Sequence, residues 1–206
     1  MDNIKLIAPC LFGVESIAAD EFRRMGFESV TAENGRVKLS GGINMLARAN
    51  ICSRYAERIM IDVGEFRAAT FTELFDGVKS LPWEDYIGKY DAFPVNGRSI
   101  DSALFSIPDC QSIVKKAIVE RLKQKYHISH FEETGAEYRV RFFIYKNVAS
   151  LMIDTSGEGL HKRGYRRKSN DAPLKETLGA AMCDLARIYP DTLMFDPFCG
   201  SGTLLI

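Results

Sequence analysis

The chain has 206 residues, 46% of them hydrophobic and 26% charged, and its 27 basic and 27 acidic side chains cancel to a net charge of zero. That composition excludes a disordered chain and a uniformly basic nucleic-acid binder, and no apolar run approaches the ~18 residues a membrane helix needs. The N-terminal MDNIKLIAPC has no basic lead before an apolar stretch, and five scattered cysteines without a C-x-x-C pair suggest neither disulfides nor zinc. A cytoplasmic protein is expected, with no metal and no membrane partner.

In chain order, KLIAPC is expected to be a strand and Gly13 to Gly26 a helix, with Val14, Ile17, Ala18, Phe22 and Met25 at helical spacing and Gly26 as its stop. ESV and RVKLS follow as strands across Glu33-Asn34-Gly35, a tight hairpin turn. Residues 1–45 therefore form a small β-α-β-β unit. A short helix over Ile43 to Ala49, a strand over Arg58 to Val63 and a helix over Thr70 to Lys79 come next. Ala92 to Asn96 and Ser102 to Ser106 are expected as strands around the Asn96-Gly97 turn. Asp109 then caps a helix whose apolar face is Val114, Ala117, Ile118, Leu122 and Tyr126. EYRVRFFIYKN and VASLMIDTS make a hairpin on Lys146-Asn147, so residues 46–155 form one α+β domain. Residues 156–172 read as a basic linker. Pro173 opens a helix that Pro190 ends, and TLMFD is a short buried strand leading into a glycine loop.

Charge is unevenly placed. Acids dominate from Glu65 to Asp91, whereas HKRGYRRK, His161 to Lys168, holds five Lys/Arg and no acid. A polyanion would meet that local patch rather than the net sum. His161, Lys162, Arg163, Arg166, Arg167 and Lys168 suit phosphate contacts, and Tyr165 could stack on an unpaired base; a solvated loop is the competing reading. Lys115, Lys116, Lys123, Lys125, Arg139 and Arg141 are candidates to extend this RNA-binding track. His127 and His130 lack companions at metal-ligand spacing.

The final residues, DPFCGSGTLLI, place an acid at a strand end, then Gly-x-Gly, then a new helix. Gly200 and Gly202 let backbone amides approach a ligand, and the helix start directs its positive end at an anionic group. No Lys follows Gly202, which disfavours a Walker loop, and Leu205 stands where a dinucleotide fingerprint needs a small residue.

DPFCGSGT resembles the first motif of S-adenosylmethionine (SAM) methyltransferases that act on an exocyclic amine. APCLFGVESIAADEF, RYAERIMIDVGEFRAATFTELFDGVKSLPW, FPVNGRSIDSALFSIPDCQSIVKKAIVERL and DTSGEGLHKRGYRRKSNDAPLKETLGAAM extend the likeness over the whole chain. They are similar to bacterial THUMP-domain RNA methyltransferases, above all those making N2-methylguanine in large-subunit ribosomal RNA, often labelled N6-adenine-specific DNA methylases. The resemblance implies an α+β fold with a ferredoxin-like unit (1–45), a THUMP domain (46–155), a linker (156–172) and the start of a Rossmann-type methyltransferase domain (173–206). It implies SAM as cofactor, with Asp196, Pro197, Cys199, Gly200, Ser201, Gly202 and Thr203 forming half of its pocket. Lys175, Glu176 and Thr177 are added because the preceding helix flanks the cofactor in that family. The family's Asn/Asp-Pro-Pro-aromatic motif is not in these residues, so no catalytic residue is assigned, and the chain is expected to be the N-terminal part of a longer enzyme, inactive alone. A tRNA guanine-N2 methyltransferase, a non-catalytic RNA-binding module and an N6-adenine DNA methylase are the alternatives.

Overall fold

The computed structural model describes residues 3–164 and 173–206. Tyr165, Arg166, Arg167 and Lys168 of the expected RNA track lie outside the described residues. Contacts divide the chain into two units, Met1–Met60 with Thr155–Ile206, and Ile61–Asp154.

The first unit begins with β1 (Ile4–Pro9), α1 (Glu15–Arg24), β2 (Ser29–Glu33), β3 (Arg36–Gly41) and α2 (Ile43–Cys52). The Asn34-Gly35 turn, with Gly35 at φ +71°, sets the β2-β3 register so that Glu33 faces Arg36. β1 adds antiparallel to β3 with Leu6 opposite Leu39, giving the order β2-β3-β1. α1 buries Ala18, Ala19 and Phe22 and stops where Gly26 takes φ +95°, a left-handed conformation that Gly adopts without a Cβ penalty. The sequence expectation closed this unit at residue 45, but it continues through Met60. The buried Glu21 carboxylate explains the continuation: it accepts from Ser53 Oγ at 2.9 Å and from the Arg54 backbone N–H at 3.1 Å, tying the chain after α2 back to α1.

The second unit holds β4 (Met60–Arg67), α3 (Phe71–Ser80), a short 3-10 helix (Trp83–Asp85), β5 (Val95–Ile100), α4 (Ile107–Tyr126), β6 (Val140–Tyr145) and β7 (Val148–Asp154), with strands in the order β4-β7-β6-β5. Thr70 and Glu73 form a reciprocal capping box at α3, as S/T-x-x-E before an apolar run requires. Lys146 and Asn147, at φ +49° and +61°, make the expected tight turn between β6 and β7. Leu74, Val78, Val114, Ile118 and Leu122 from the two helices pack with Val140, Phe142 and Ile144 and with Trp83, whose Nε1 donates to Val78 O at 2.7 Å.

Several expectations change here. Asn96-Gly97 is no turn; both residues lie inside β5, parallel to β6, and a Cβ at Gly97 would sit 2.4 Å from Phe142 O. This glycine serves close packing, and Ser102 to Ser106 form no strand. Ser106 rather than Asp109 is the N-cap of α4, because Pro108 fits the first turn and moves the start forward. β4 is displaced towards Arg67 from the expected Arg58 to Val63.

Returning to the first unit, α5 spans Glu176–Leu185 with Lys175 at its N-cap, so Pro173 precedes the helix rather than opening it and Pro190 lies beyond its end. TLMFD is a further correction: it forms no strand among the described residues, and Leu193 is 95% and Phe195 84% exposed. A parallel strand without neighbours has no ladder to join and no face to bury. No helix among the described residues is long and apolar enough to cross a membrane.

Candidate cofactor site

The glycine loop is shaped by its own backbone. Asp196 Oδ1 accepts from the Phe198 N–H at 3.0 Å, which turns the chain sharply after the acid. Gly200 and Gly202 take φ +55° and +77°, where a side chain would be strained. Gly202 N–H donates to Cys199 O at 2.7 Å, and the Leu205 and Ile206 N–H groups donate to Gly202 O at 2.9 and 3.1 Å, a first helical turn.

This turn and the residues before α5 enclose a cleft of about 320 Å³. Asp196, Cys199, Gly200, Ser201 and Thr203 line it, joined by Pro173, Leu174, Phe198 and Leu204, which sequence reasoning missed. Pro197 and Gly202 belong to the same loop but not to the lining.

Lys175 and Thr177 face elsewhere. Thr177 Oγ1 donates to Glu57 Oε1 at 2.8 Å, and Lys175 Nζ and His161 Nδ1 lie 3.4 and 3.2 Å from Glu57 Oε2. Glu57 is itself fixed by two backbone bonds, its N–H to Pro9 O at 2.7 Å and its carbonyl accepting from Leu160 N–H at 2.9 Å. One carboxylate thus gathers the residues on both sides of the basic segment and anchors the start of α5. At the far side of α5, Gly179 lets the loop approach: a Cβ there would lie 3.2 Å from Thr203 Cγ2. Glu57 had no sequence signal, since its side-chain partners His161, Lys175 and Thr177 are distant in sequence and meet it only by folding. Nearby, burial pushes the Cys10 thiol and the Tyr55 phenol up to about 12, so neither ionises at neutral pH.

The described part of the basic segment is largely engaged within the protein. Arg163 donates to Ile51 O, Asn50 O and Ser53 O at 2.8, 3.1 and 2.6 Å, closing the carbonyl end of α2. Lys162 pairs with exposed Glu158 at 3.1 Å. In the second unit, Lys115 is held by Phe93 O, by Glu133 and by the Phe93 ring 3.6 Å away. Arg139 pairs with Glu137 at 2.6 Å and Arg141 with Asp154 at 2.9 Å, while Lys116 is exposed on α4. Among the described residues no group of three or more His, Cys, Asp or Glu is placed to hold a metal.

A β-α-β-β-α unit and a second α+β unit with two helices on one face of its sheet are followed in sequence by a glycine loop that lines a cleft. Family models make this particular. Residues 5–60 match the RlmL ferredoxin-like domain, residues 68–154 the THUMP domain, and residues 163–206 a methyltransferase domain described as RMKL-like. The chain carries these three domains, in this order.

It is 46% identical over 208 residues to the Bacillus subtilis (strain 168) protein named "Putative RNA methyltransferase YpsC", covering 100% of this chain and 54% of that protein. A Listeria monocytogenes crystal structure, named a "predicted N6-adenine-specific DNA methylase", superposes with TM-score 0.93 at 48% identity, over 100% of this chain and 54% of that one. The structure of SMU.472, "a putative methyltransferase complexed with SAH", gives TM-score 0.91 at 41% identity, over 99% and 54%. The chain spans about half the length of the relatives it matches.

Proposed function

We propose that this chain is the RNA-recognition and cofactor-loop portion of a cytoplasmic SAM-dependent RNA methyltransferase that modifies the N2 amine of a guanine in large-subunit ribosomal RNA. The observation that carries it is the cleft at the glycine loop, directly behind a THUMP domain in sequence. Its residues fit the cofactor: two glycines at positive φ keep side chains away, and a carboxylate and two hydroxyls line the wall. Asp196, Cys199, Gly200, Ser201 and Thr203 would hold SAM, with Pro197 and Gly202 shaping the turn. When bound, SAM supplies an electrophilic methyl group on a sulfonium.

The chain's own contribution is binding and orientation. Pro173 and Leu174 exclude water from one side of the cleft, and Glu57, through Thr177 and Lys175, keeps α5 seated behind the loop. An exocyclic amine needs no thiolate for its attack, so Cys199 acts as a small wall residue. The 206 residues alone are expected to transfer no methyl group.

The test is SAM-dependent methylation by a protein of the relatives' full length, offered ribosomal RNA, tRNA and DNA that lack native modifications. Label in a ribosomal guanine supports the proposal. Label in tRNA guanine moves the substrate, and label in DNA adenine, the activity in the Listeria protein's name, overturns the RNA assignment.

A further inference from the structure

The helices of the second unit cover only one face of its sheet. Val140, Phe142 and Ile144 point to them, so alternation turns Arg141, Phe143 and Tyr145 of β6 to the opposite face. Register sets exposed residues of β5 beside them: Asn96 by Arg141, Arg98 by Phe143, Ile100 by Tyr145. The Phe143 and Tyr145 rings are parallel, 7° apart in plane and 6.2 Å between centroids, and Tyr145 is 39% exposed. Lys146 Nζ stands 5.1 Å from the centre of the Tyr145 ring. The carboxylates on this side are engaged, Asp154 by Arg141 at 2.9 Å and Glu65 by Ser150 at 2.7 Å.

We infer that this face of the THUMP domain, built on Phe143 and Tyr145 with Arg98 and Lys146 beside them, is a stacking platform for unpaired bases of single-stranded RNA. Aromatic faces interleaved with cations suit that ligand: bases stack on the rings while the cations meet the phosphates. A protein partner would ask for a contiguous apolar patch, and duplex RNA would find its bases already stacked and out of reach of these rings. The platform rests on the RNA reading proposed above.

The test uses the 206-residue chain and fluorescent oligoadenylate and oligouridylate, with a duplex of matched charge, at low salt. The double variant Phe143→Leu/Tyr145→Leu should lose about tenfold or more in affinity for the single strands and little for the duplex, since each stacked base contributes on that scale. Tyr145→Phe should bind as the parent does, because stacking needs the ring and not the hydroxyl. Tyr90→Leu, an exposed aromatic off the sheet, should change nothing. Photocrosslinking of the unaltered chain to a 5-bromouridine strand should mark the peptide around Phe143–Tyr145, a readout independent of how well the double variant folds. Binding by the parent with an unchanged double variant, or crosslinks confined to other peptides, overturns the platform alone. A parent that binds no RNA overturns the RNA reading with it.

Discussion

RFFIY in β6 and TLMFD before the glycine loop are runs of the same kind, short, apolar and aromatic, yet their fates are opposite. Phe142 of the first is 1% exposed and Phe195 of the second 84%. The difference lies in neighbours rather than in composition. β6 is paired on both sides, parallel to β5 and antiparallel to β7, with α3 and α4 completing its core. TLMFD has no such partners among the described residues, so burial of apolar side chains, the main driving force available to it, is withheld. Intrinsic preference for a strand is weak beside the ladder and the covered face that make one.

The largest contrast should come from truncating one aromatic in each region. Trp83 is fully buried in the second unit and satisfies Val78 O, so Trp83→Ala is expected to lose about 3–5 kcal/mol. Phe198 is 92% exposed, and Phe198→Ala should change stability by less than about 0.5 kcal/mol. Urea denaturation of both variants measures the pair. Equal losses would mean that the loop region packs far more tightly than its exposure implies.

Gly97→Ala probes why part of the fold escaped the sequence. A methyl group there meets Phe142 O at 2.4 Å and the Phe142 ring at 2.5 Å, so a loss of about 1–3 kcal/mol is expected, measured the same way. Asn-Gly signals a turn correctly at Asn34-Gly35, where Gly35 takes φ +71°, because the adjoining strands are antiparallel and consecutive. At Asn96-Gly97 the same dipeptide lies inside a parallel strand whose partners, Arg141 and Phe142, are far along the chain, and nothing local records them. Local chemistry was legible elsewhere: the helix start at Thr70, the Gly26 stop, the Lys146-Asn147 turn and the acid-Gly-x-Gly loop. What remained hidden depends on distant pairs, such as the carboxylates of Glu21 and Glu57 or the Arg163 side chain closing α2 rather than facing solvent.

A pH profile separates the second unit's electrostatics from its packing. Glu84, in the 3-10 helix, takes two bonds from Arg121, at 2.9 and 2.6 Å, and the Arg121 side chain holds its carboxyl below the ordinary 4.5. A depressed acid stabilises fully above its unfolded value and loses that contribution as pH falls through the folded one. Stability should therefore fall more steeply below about pH 4.5 in the parent than in Glu84→Gln, which has no such proton to bind. Parallel profiles for parent and variant would show that Arg121 gives the carboxylate no net advantage over water.

The smallest effect is the most informative about the candidate site. Thr177 is buried and its hydroxyl donates to Glu57, so Thr177→Val keeps the shape and removes one charge-assisted bond, about 0.5–1.5 kcal/mol. Because TLMFD contributes no ladder, the N-terminal half of α5 depends on this anchor and on the close approach of Gly179 to Thr203. The loss should be local: faster hydrogen exchange across Glu176–Leu185, by up to about tenfold, with Ile61–Asp154 unchanged. Thr177→Ser, which retains the donor, should restore the protection. If exchange in α5 is untouched by Val, the helix is held by packing alone and Glu57 does not position the glycine loop; if the second unit loosens as well, the two units are one cooperative structure and the contrast between them is only one of surface exposure.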